Sequence, residues 1–209
     1  MIQTLDITFG YDSKDEVFKF PNINLKAKEH LLIVGKSGIG KTTLLHLLAG
    51  LLPIKTGSIC INSTRIEDLS QKKLDAFRGE HIGLVFQRNH ALKSLTVAKN
   101  LQARLFFSRK PINYKRINEV LTTLDLLDYK DKSIQTLSTG QLQRLGIAMA
   151  IIHNPKLILA DEPTSSLDDE NCENVMNLLL KEAQRHQANL VVITHDKRIV
   201  SKFSKVLML

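Results

Sequence analysis

The chain has 209 residues, of which 43% are hydrophobic and 24% are charged. This mixture is typical of a soluble globular protein and excludes a disordered or fibrous chain, and the length allows one domain with an inserted subdomain. No apolar run reaches the roughly 18 to 20 residues that a bilayer span requires, and residues 1–10 lack the pattern of a secretion signal. Cys60 and Cys172 lie in unrelated segments, so we expect free thiols in a reducing compartment.

The formal net charge of the chain is +8. Such an excess permits nucleic acid, an anionic membrane surface or an acidic ligand as a partner. The basic pairs Lys72-Lys73 and Arg109-Lys110 are short and have acidic or apolar neighbours. We therefore interpret the positive charge as a dispersed, solvated surface.

Two segments near the N-terminus alternate between apolar and polar residues, as strands with one exposed face do. Residues 4–9 and 58–61 show this pattern, and Gly10 and Gly57 bound them. They predict an antiparallel sheet in this part of the chain.

Three other runs are apolar throughout, namely residues 31–34, 157–160 and 190–193. A strand that is covered on both faces needs this continuous apolar character, and helical patterns lie between the runs. We therefore predict an α/β protein with a doubly wound parallel sheet. Ligands bind beyond the carboxyl ends of the strands in such sheets. The residues at these ends are Gly35, Asp161 and the pair Thr194-His195.

Between about residues 89 and 154 the strand signals fade and helical patterns dominate. Residues 117–127 are one example, with apolar residues at helical spacing. We interpret residues 89–154 as a helical subdomain inserted into a single domain, whose core is formed by residues 1–88 and 155–209. A last strand is predicted over residues 205–209.

The first buried strand is followed by a full match to the pattern G-x-x-x-x-G-K-[ST]. The matching residues are Gly35, Lys36, Ser37, Gly38, Ile39, Gly40, Lys41 and Thr42. Glycines let the backbone curl so that its N–H groups point at phosphate oxygens, and the helix that begins at Lys41 adds the positive end of its dipole. Lys41 would neutralise β/γ-phosphate charge, and the Thr42 hydroxyl would serve Mg²⁺. The alternative is a glycine-rich turn that matches by chance.

Acidic residues follow the second of the apolar runs. Asp161 would bind Mg²⁺ directly or through water, and Glu162 would polarise an attacking water as general base. The alternative is that two acids before Pro163 only terminate a strand. His195 would contact the γ-phosphate through a ring N–H and orient the water, whereas a histidine at a strand end is more often a satisfied polar residue.

Residues 137–141 read Leu-Ser-Thr-Gly-Gln and precede a predicted helix that ends before Asn154-Pro155. Ser138 and Gln141 have the spacing of a capping box, and capping alone is one interpretation. A helix start with a serine hydroxyl and the N–H of Gly140 is also suited to bind an anion. The second interpretation is therefore that this segment binds a phosphate group.

The chain resembles the ATPase subunits of ABC transporters over essentially its whole length. The matching motifs, in chain order, are the A-loop aromatic (Tyr11), the Walker A loop (residues 35–42), the Q-loop (Gln87), the signature (residues 137–141), the Walker B strand with its glutamate (residues 157–162), the D-loop (residues 165–168) and the switch histidine (His195). On sequence alone, the alternative for Tyr11 is an aromatic residue of an edge strand with no role in binding.

The resemblance implies a P-loop ATPase that binds ATP and Mg²⁺ and pairs head to tail with an identical or a different ATPase subunit. It assigns catalysis to Glu162, His195 and Gln87, and the metal to Thr42, Gln87 and Asp161. Nucleotide contacts are implied for Tyr11 and for the Walker A loop extended to Thr43. The resemblance also implies that Ser138, Gly140, Gln141 and Asp168 contact the nucleotide that is bound by the opposite subunit.

The resemblance also implies membrane-spanning permease subunits as partners, no nucleic-acid partner, and a position on the cytoplasmic face of the membrane. Coupling helices of the permease would dock beside the helical subdomain, and Gln87 would link hydrolysis to transport. The compact length is similar to that of the lipoprotein-releasing and macrolide-export group.

Residues in two of the motifs depart from the family patterns. Thr139 replaces the first of two signature glycines, which bears on dimer closure and ATPase rate, and Ser165-Ser166 replaces the Gly-Asn that is common in the D-loop of the lipoprotein-releasing group. The alternative function is a soluble ABC-type ATPase that acts on nucleic acid or ribosomes, which only the charge of +8 favours.

Overall fold

Two β-sheets and the helices that cover them form the computed structural model, which describes residues 1–11, 17–87, 90–165 and 167–209. The strands are β1 (Ile2–Phe9), β2 (Phe18–Lys19), β3 (Asn24–Leu25), β4 (His30–Val34), β5 (Thr56–Ile61), β6 (Thr64–Arg65), β7 (Ile82–Val85), β8 (Leu157–Asp161), β9 (Asn189–Thr194) and β10 (Val206–Met208). The α-helices are α1 (Lys41–Leu48), α2 (Gln71–His81), α3 (Val97–Phe107), α4 (Tyr114–Thr123), α5 (Thr139–Ile151) and α6 (Asp169–Arg185). Segments of 3₁₀-helix lie at Ile66–Asp68, Leu127–Tyr129, Ile134–Thr136 and Lys197–Lys202. The predicted boundary between residues 88 and 89, and Ser166 of the D-loop, lie outside the described residues.

The predicted doubly wound parallel sheet is confirmed. Its strand order is β10-β4-β9-β8-β7, and every neighbouring pair is parallel. The three apolar runs are β4, β8 and β9, and every residue of β8 and β9 is buried. The last predicted strand is β10, which is one residue shorter at each end. The sequence patterns do not predict β7, because it has only four residues and Gly83 interrupts its apolar character.

Both faces of this sheet are covered, and β4 shows how the sequence achieves it. Side chains alternate across a strand. Leu31 and Ile33 pack with α1 and the N-terminal sheet, whereas Leu32 and Val34 pack with the cluster that contains α3, α4, α5 and α6. All four side chains are buried, which explains why the run contains no polar residue.

The predicted antiparallel sheet is also confirmed, with strand order β2-β1-β5-β6 and with β3 paired to β1. Along β1 and β5 the pairing runs from Ile2 opposite Ile61 to Leu5 opposite Ser58, and the register then shifts. Gly57 lies at this irregularity with a φ of 95°, and a Cβ there would overlap the backbone oxygen of Leu5. The bulge therefore requires glycine.

Helices α3, α4 and α5 lie between β7 and β8. The predicted helix over residues 117–127 is wrong at both ends, because α4 spans Tyr114–Thr123. The helix begins earlier than predicted because the side chain of Asn113 caps its N-terminus. The helix also ends earlier, because Asp125 adopts a left-handed φ of 52° and the N–H of Leu126 turns back to the helix at 2.8 Å.

Two expectations from composition concern thiols and membrane spans. Cys60 and Cys172 are free thiols, and Cys172 is buried. Among the helices of the described residues, none combines the length and the apolar character needed to cross a bilayer.

Gly83, in the middle of β7, packs directly against the backbone of α5. A Cβ at this position would overlap the carbonyl oxygen of Ala150, and neither backbone can move away freely in a close-packed interior. We expect Gly83→Ala to lower the free energy of unfolding by about 1–3 kcal/mol, the usual cost of overpacking, in urea denaturation followed by circular dichroism. Gly140→Ala is the matched control, because its Cβ would meet nothing within 4 Å. Equal losses in the two variants would contradict the packing argument.

Candidate active site

A cavity of about 660 Å³ opens at the carboxyl edge of the parallel sheet. Many of the predicted site residues line it: Tyr11, Ser37, Gly38, Gly40, Lys41, Thr42, Thr43, Gln87, Asp161, Glu162 and His195. Phe18, which the sequence does not predict, completes the lining. From the predicted phosphate loop, Gly35, Lys36 and Ile39 lie outside this lining, and Ile39 is exposed.

The loop between β4 and α1 forms the cationic wall of the cavity. Gly38 and Gly40 have φ values of 83° and 102°, in the region that glycine adopts at low cost. Gly40 is the N-cap of α1 and no side chain caps this helix, so its first N–H groups suit an anion. The Lys41 ammonium group donates to the carbonyls of Gly35 at 2.8 Å and of Lys36 at 2.9 Å.

Oxygen ligands from α1 and β8 face each other in the cavity. Thr42 Oγ1 lies 3.5 Å from Asp161 Oδ1. Burial raises the pKa of the Asp161 carboxyl, and the hydrogen bond from Thr42 opposes this shift. Carboxylate and hydroxyl oxygens are the ligands that Mg²⁺ takes in proteins, usually with several waters retained. The pair therefore fits a Mg²⁺ ion shared with bound phosphates.

Glu162 has a φ of 48°, a conformation that costs energy for a residue with a Cβ. Its N–H bonds the carbonyl of Ile193 at 2.9 Å, which continues the ladder between β8 and β9. The carboxylate accepts a hydrogen bond from Thr194 Oγ1 at 2.8 Å and lies 2.9 Å from His195 Nδ1. The Lys41 ammonium group is 4.0 Å from the same carboxylate. These contacts give the Glu162 carboxylate one defined position in the cavity.

Gln87 connects the cavity to a neighbouring groove. It lines both the cavity and a groove of about 410 Å³. Its Nε2 donates to Ser165 Oγ at 3.3 Å, and Ser165 Oγ donates to the carbonyl of Glu162 at 3.2 Å. We call this second space the apolar groove, and the residues that characterise it are Leu84, Phe86, Arg104, Leu142 and Met149.

Tyr11 lies at the mouth of the cavity with 60% of its surface exposed. Its hydroxyl is 2.8 Å from Thr43 Oγ1. Its ring packs edge to face against Phe9 and Phe18, with centroids 4.8 and 6.3 Å away. The ring is therefore held in place while most of its surface stays open, as a stacking surface for a planar base requires.

The signature residues lie around a different cavity, of about 700 Å³, which Thr139, Gly140 and Asp168 line. The predicted capping box is confirmed: Ser138 Oγ accepts the N–H of Gln141 at 3.3 Å, and Gln141 Oε1 accepts the N–H of Ser138 at 2.9 Å. Within the described part of the chain, none of these residues lines the first cavity. In one subunit the two halves of the predicted site are therefore separate.

Arg198 joins the segment after β9 to the loop after β8. Its guanidinium pairs with Asp196 at 2.8 Å and Asp169 at 2.5 Å, and donates to the carbonyls of Thr164 and Leu167 at 3.5 and 3.2 Å. We call these contacts the Arg198 web. Hydrogen bonds from Arg198 hold the pKa of Asp196 well below its usual range. No motif in the sequence signals this web, because its members come from separate segments.

The pairing of Asp196 with Arg198 contributes to stability in a pH-dependent way. The carboxyl pKa is lowered in the folded state, so the contribution is complete above the unfolded-state pKa of about 4 and is lost as the pH falls below it. We expect Arg198→Met to be less stable than the wild type at pH 7. The difference in free energy of unfolding should stay constant from about pH 7 to about pH 5 and narrow as the pH falls from there to about 3, in denaturant titrations at each pH.

The control for this experiment is Arg65→Met. Arg65 also pairs with a carboxylate, that of Glu67 at 2.9 Å, but its side chain is 58% exposed. Exposed pairs contribute little to stability, so this variant should resemble the wild type at every pH. If the loss in free energy of unfolding caused by Arg198→Met did not change with pH, the ionised Asp196 carboxylate would not be the cause of that loss.

Comparison with known proteins agrees with the motifs. Residues 18–165 match the family model described as ABC transporter. The chain is 36% identical over 205 residues to the lipoprotein-releasing system ATP-binding protein LolD of Treponema denticola, which covers 96% of this chain and 90% of that protein. It is 35% identical over 199 residues to the bacitracin export ATP-binding protein BceA of Halalkalibacterium halodurans, covering 94% of this chain and 79% of that protein.

A solved structure matches the whole fold. The dimeric post-hydrolysis state of the ATP-binding cassette MJ0796 bound to ADP and Pi has a TM-score of 0.89 and 32% identity, covering 100% of this chain and 94% of that one. These comparisons support the main function predicted from the motifs and give no support to the nucleic-acid or ribosome alternative.

Proposed function

The chain belongs to the ABC transporter family as an ATP-binding and ATP-hydrolysing subunit, and from this premise we propose how its residues bind ATP, hydrolyse it and pass the result to a partner. One observation carries the proposal: a single cavity brings together Lys41, Thr42, Asp161, Glu162 and His195. Lys41 is a cation for the phosphates, Thr42 and Asp161 are metal ligands, and Glu162 is a base with His195 beside it. Phosphoryl transfer to water needs this set of groups.

ATP binds with its phosphates against the loop between β4 and α1. The N–H groups of the loop and of the first turn of α1 face the phosphate oxygens. Lys41 exchanges its two carbonyl partners for β- and γ-phosphate oxygens, and Tyr11 stacks on the adenine. The full set assigned to the bound nucleotide in this subunit is Tyr11, Gly35, Lys36, Ser37, Gly38, Ile39, Gly40, Lys41, Thr42 and Thr43.

Mg²⁺ is part of the proposal. Thr42 and Asp161 would hold it, with Gln87 at the edge of the cavity, and when bound it neutralises charge on the phosphates. A cation beside Asp161 favours the ionised carboxylate and so opposes the rise in pKa that burial causes.

Glu162 is the proposed general base. The oxygen of a water attacks the γ-phosphorus, a proton of that water passes to the Glu162 carboxylate, and the bond to the ADP oxygen breaks. Thr194 and His195 keep the carboxylate oriented towards that water, at 2.8 and 2.9 Å from its oxygens. The side chain of His195 is 62% exposed, so we assign it a further contact with the γ-phosphate.

The signature is proposed to act on the nucleotide of the opposite subunit. Ser138, Gly140, Gln141 and Asp168 are the residues concerned. Two observations support this assignment: these residues lie away from the cavity of their own subunit, and the related cassette is dimeric. Thr139 lines the same cavity as Gly140 and Asp168, at the position where the usual signature of the family has glycine.

Membrane-spanning permease subunits are the proposed partners, which implies a position on the cytoplasmic face of the membrane. The apolar groove is the proposed docking surface, because Gln87 lines it together with the cavity. It lies between the proposed helical subdomain, residues 89–154, and the core of residues 1–88 and 155–209, and both contribute to its lining. The names of LolD and BceA give different cargoes, so no cargo is assigned to this chain.

Lys41→Ala tests the phosphate site. Without the ammonium group the phosphate charge has no cation from the chain at this position, and we expect ATP binding to be lost, with an affinity at least about a hundredfold weaker in isothermal titration calorimetry. Lys55→Ala removes the same charge from an exposed lysine outside the cavity and should bind ATP as the wild type does. Unchanged affinity in Lys41→Ala would contradict the phosphate-loop assignment.

Glu162→Gln tests the base. The amide has nearly the same shape but cannot accept the proton, so we expect ATP binding to persist while hydrolysis falls by about 10² to 10⁴. The variant should then accumulate an ATP-dependent dimer that gel filtration detects. Glu170→Gln changes an exposed carboxylate and should hydrolyse ATP normally. Normal phosphate release by Glu162→Gln would remove Glu162 from the assigned role.

A further inference from the structure

The excess positive charge of the chain comes from one long segment. Residues 81–118 contain eight Lys or Arg residues and no Asp or Glu. The chain has 29 Lys and Arg and 21 Asp and Glu, so the rest of it, with 21 of each, is neutral. The charge of +8 is therefore unevenly distributed along the chain, although the short basic pairs suggest dispersal. Which of these cations reach the surface depends on how the segment folds.

Arg104, on α3, is held inside the fold. Its guanidinium donates to Ser108 Oγ at 2.9 Å and to the carbonyl of Ile82 at 2.9 Å. It also lies 3.0 Å from His153 Nε2, and burial lowers the pKa of His153 to about 3, so this ring is neutral. Arg104 therefore fastens the buried Ser108, at the end of α3, to β7, and its charge is not presented to a partner at the surface.

The chain turns back at the end of α3, and we call residues 106–115 the aromatic turn. The N–H of Lys110 bonds the carbonyl of Leu105 at 3.0 Å, and Arg109 adopts a left-handed φ of 54°. These are the features of a Schellman cap, in which glycine is the usual residue. The side chain of Asn113 then caps α4. Because both ends of the aromatic turn are capped, its side chains are presented on a defined backbone.

Almost every side chain of the aromatic turn is exposed, and Ser108 is the exception. The exposed fractions of the large apolar residues are 70% for Phe106, 68% for Phe107, 46% for Ile112 and 65% for Tyr114. The rings of Phe106 and Phe107 pack edge to face, with centroids 5.5 Å apart. A cluster of large exposed apolar side chains usually marks an interaction site.

Cations accompany the apolar side chains of the aromatic turn. Arg109, Lys110 and Lys115 are exposed, and the turn contains no Asp or Glu. Aromatic rings among Lys and Arg are typical of surfaces that bind an anionic bilayer, where the rings enter the boundary between headgroups and acyl chains and the cations approach the lipid phosphates. The charge and the apolar character of the turn are both complementary to such a bilayer.

Other partners fit the shape of the aromatic turn less well. Protein partners bind through closely complementary surfaces, and single-stranded nucleic acid binds aromatic rings along a positively charged groove. The residues of the turn line neither the apolar groove nor the two cavities described above. A bilayer needs no concave site, because protruding apolar side chains enter it directly.

We propose that the aromatic turn binds the surface of an anionic lipid bilayer. Phe106 and Phe107 insert at the boundary between headgroups and acyl chains, and Arg109 and Lys110 lie against lipid phosphates. The inference goes beyond the permease partner proposed above, because the chain itself recognises lipid. Since Arg104 of the same helix lines the apolar groove, this contact holds the groove close to the membrane.

Two charge-matched double variants test the electrostatic part of the proposal. The purified chain, without a permease, is sedimented with vesicles of phosphatidylcholine alone or mixed with phosphatidylglycerol, and we expect it to bind only the mixed vesicles. Each basic residue near an anionic surface strengthens binding about fivefold. Arg109→Gln with Lys110→Gln should therefore bind at least about tenfold more weakly than the wild type. Lys72→Gln with Lys73→Gln removes the same charge from an exposed pair on α2 and should stay within about twofold.

A second pair of double variants tests the insertion of the rings. Phe106→Ser with Phe107→Ser should bind the mixed vesicles at least about tenfold more weakly than the wild type, because its apolar side chains are gone. Leu5→Ser with Met208→Ser removes exposed apolar side chains from β1 and β10 and should bind as the wild type does. ATP hydrolysis, in which none of these residues takes part, reports that each variant is folded.

A fluorescent variant tests insertion without removing the apolar surface. The chain contains no tryptophan, so Phe107→Trp introduces a single fluorophore into the aromatic turn. We expect its emission to shift to the blue on mixed vesicles and to be quenched by brominated lipid, as an indole that leaves water for the bilayer would be. Leu5→Trp carries the fluorophore outside the turn and should show neither change.

Three results would overturn the inference. The first is a wild-type chain that does not bind the mixed vesicles. The second is binding that Phe106→Ser with Phe107→Ser leaves unchanged, together with an emission of Phe107→Trp that vesicles do not alter, since the contact would then be general electrostatic attraction. The third is binding to single-stranded RNA, but not to vesicles, that is lost in Arg109→Gln with Lys110→Gln, which would assign the turn to nucleic acid.

The vesicle assay is independent of the permease partner, which is tested separately by co-purification of membrane subunits with the tagged chain from native membranes. Vesicle binding without co-purified membrane subunits supports the inference and contradicts the permease partner. Co-purified membrane subunits without vesicle binding have the opposite meaning. If Phe106→Ser with Phe107→Ser lost the membrane subunits and kept its vesicle binding, the rings would belong to a protein contact and the inference would be wrong.

Discussion

The register between β8 and β9 is the constraint on which the active site depends. Asp161 lies opposite Ile193, so the next residues, Glu162 just after β8 and Thr194 at the end of β9, lie side by side. The ladder continues through the Glu162 N–H and holds this residue in a backbone conformation that it would otherwise avoid. Because β8 and β9 are fully buried, the sheet is rigid enough to maintain that strain, and the Glu162 carboxylate keeps the position that His195 and Lys41 surround.

Much of this arrangement is predictable from the sequence, for reasons that also explain what is not. Strands covered on both faces have no polar residues, so β4, β8 and β9 stand out, and the phosphate loop is contiguous in sequence. The ends of α4 depend on single residues, Asn113 and Asp125, that periodicity does not register. The sequence does not predict that Thr194 donates a hydrogen bond to Glu162, because the two residues lie 32 positions apart and their contact belongs to no short motif. Phe18 is missed for the same reason.

The charge of the chain shows a different limit of sequence reasoning. Inspection of neighbouring residues finds short basic pairs and suggests dispersal, whereas the distribution becomes uneven only over a window of almost forty residues. Sequence also cannot tell a solvated arginine from a recessed one. Arg104 is distinguished by burial and by the neutral character of Ser108, Ile82 and His153 around it, and these are properties of the folded chain.

The Arg198 web has a mechanical consequence. It links Asp196, which follows His195 directly, to Asp169, which follows Asp168 directly. The segment after His195 and the segment after Asp168 therefore cannot move apart without breaking these bonds. Because His195 lines the first cavity and Asp168 the second, the Arg198 web makes the borders of the two cavities a single mechanical unit.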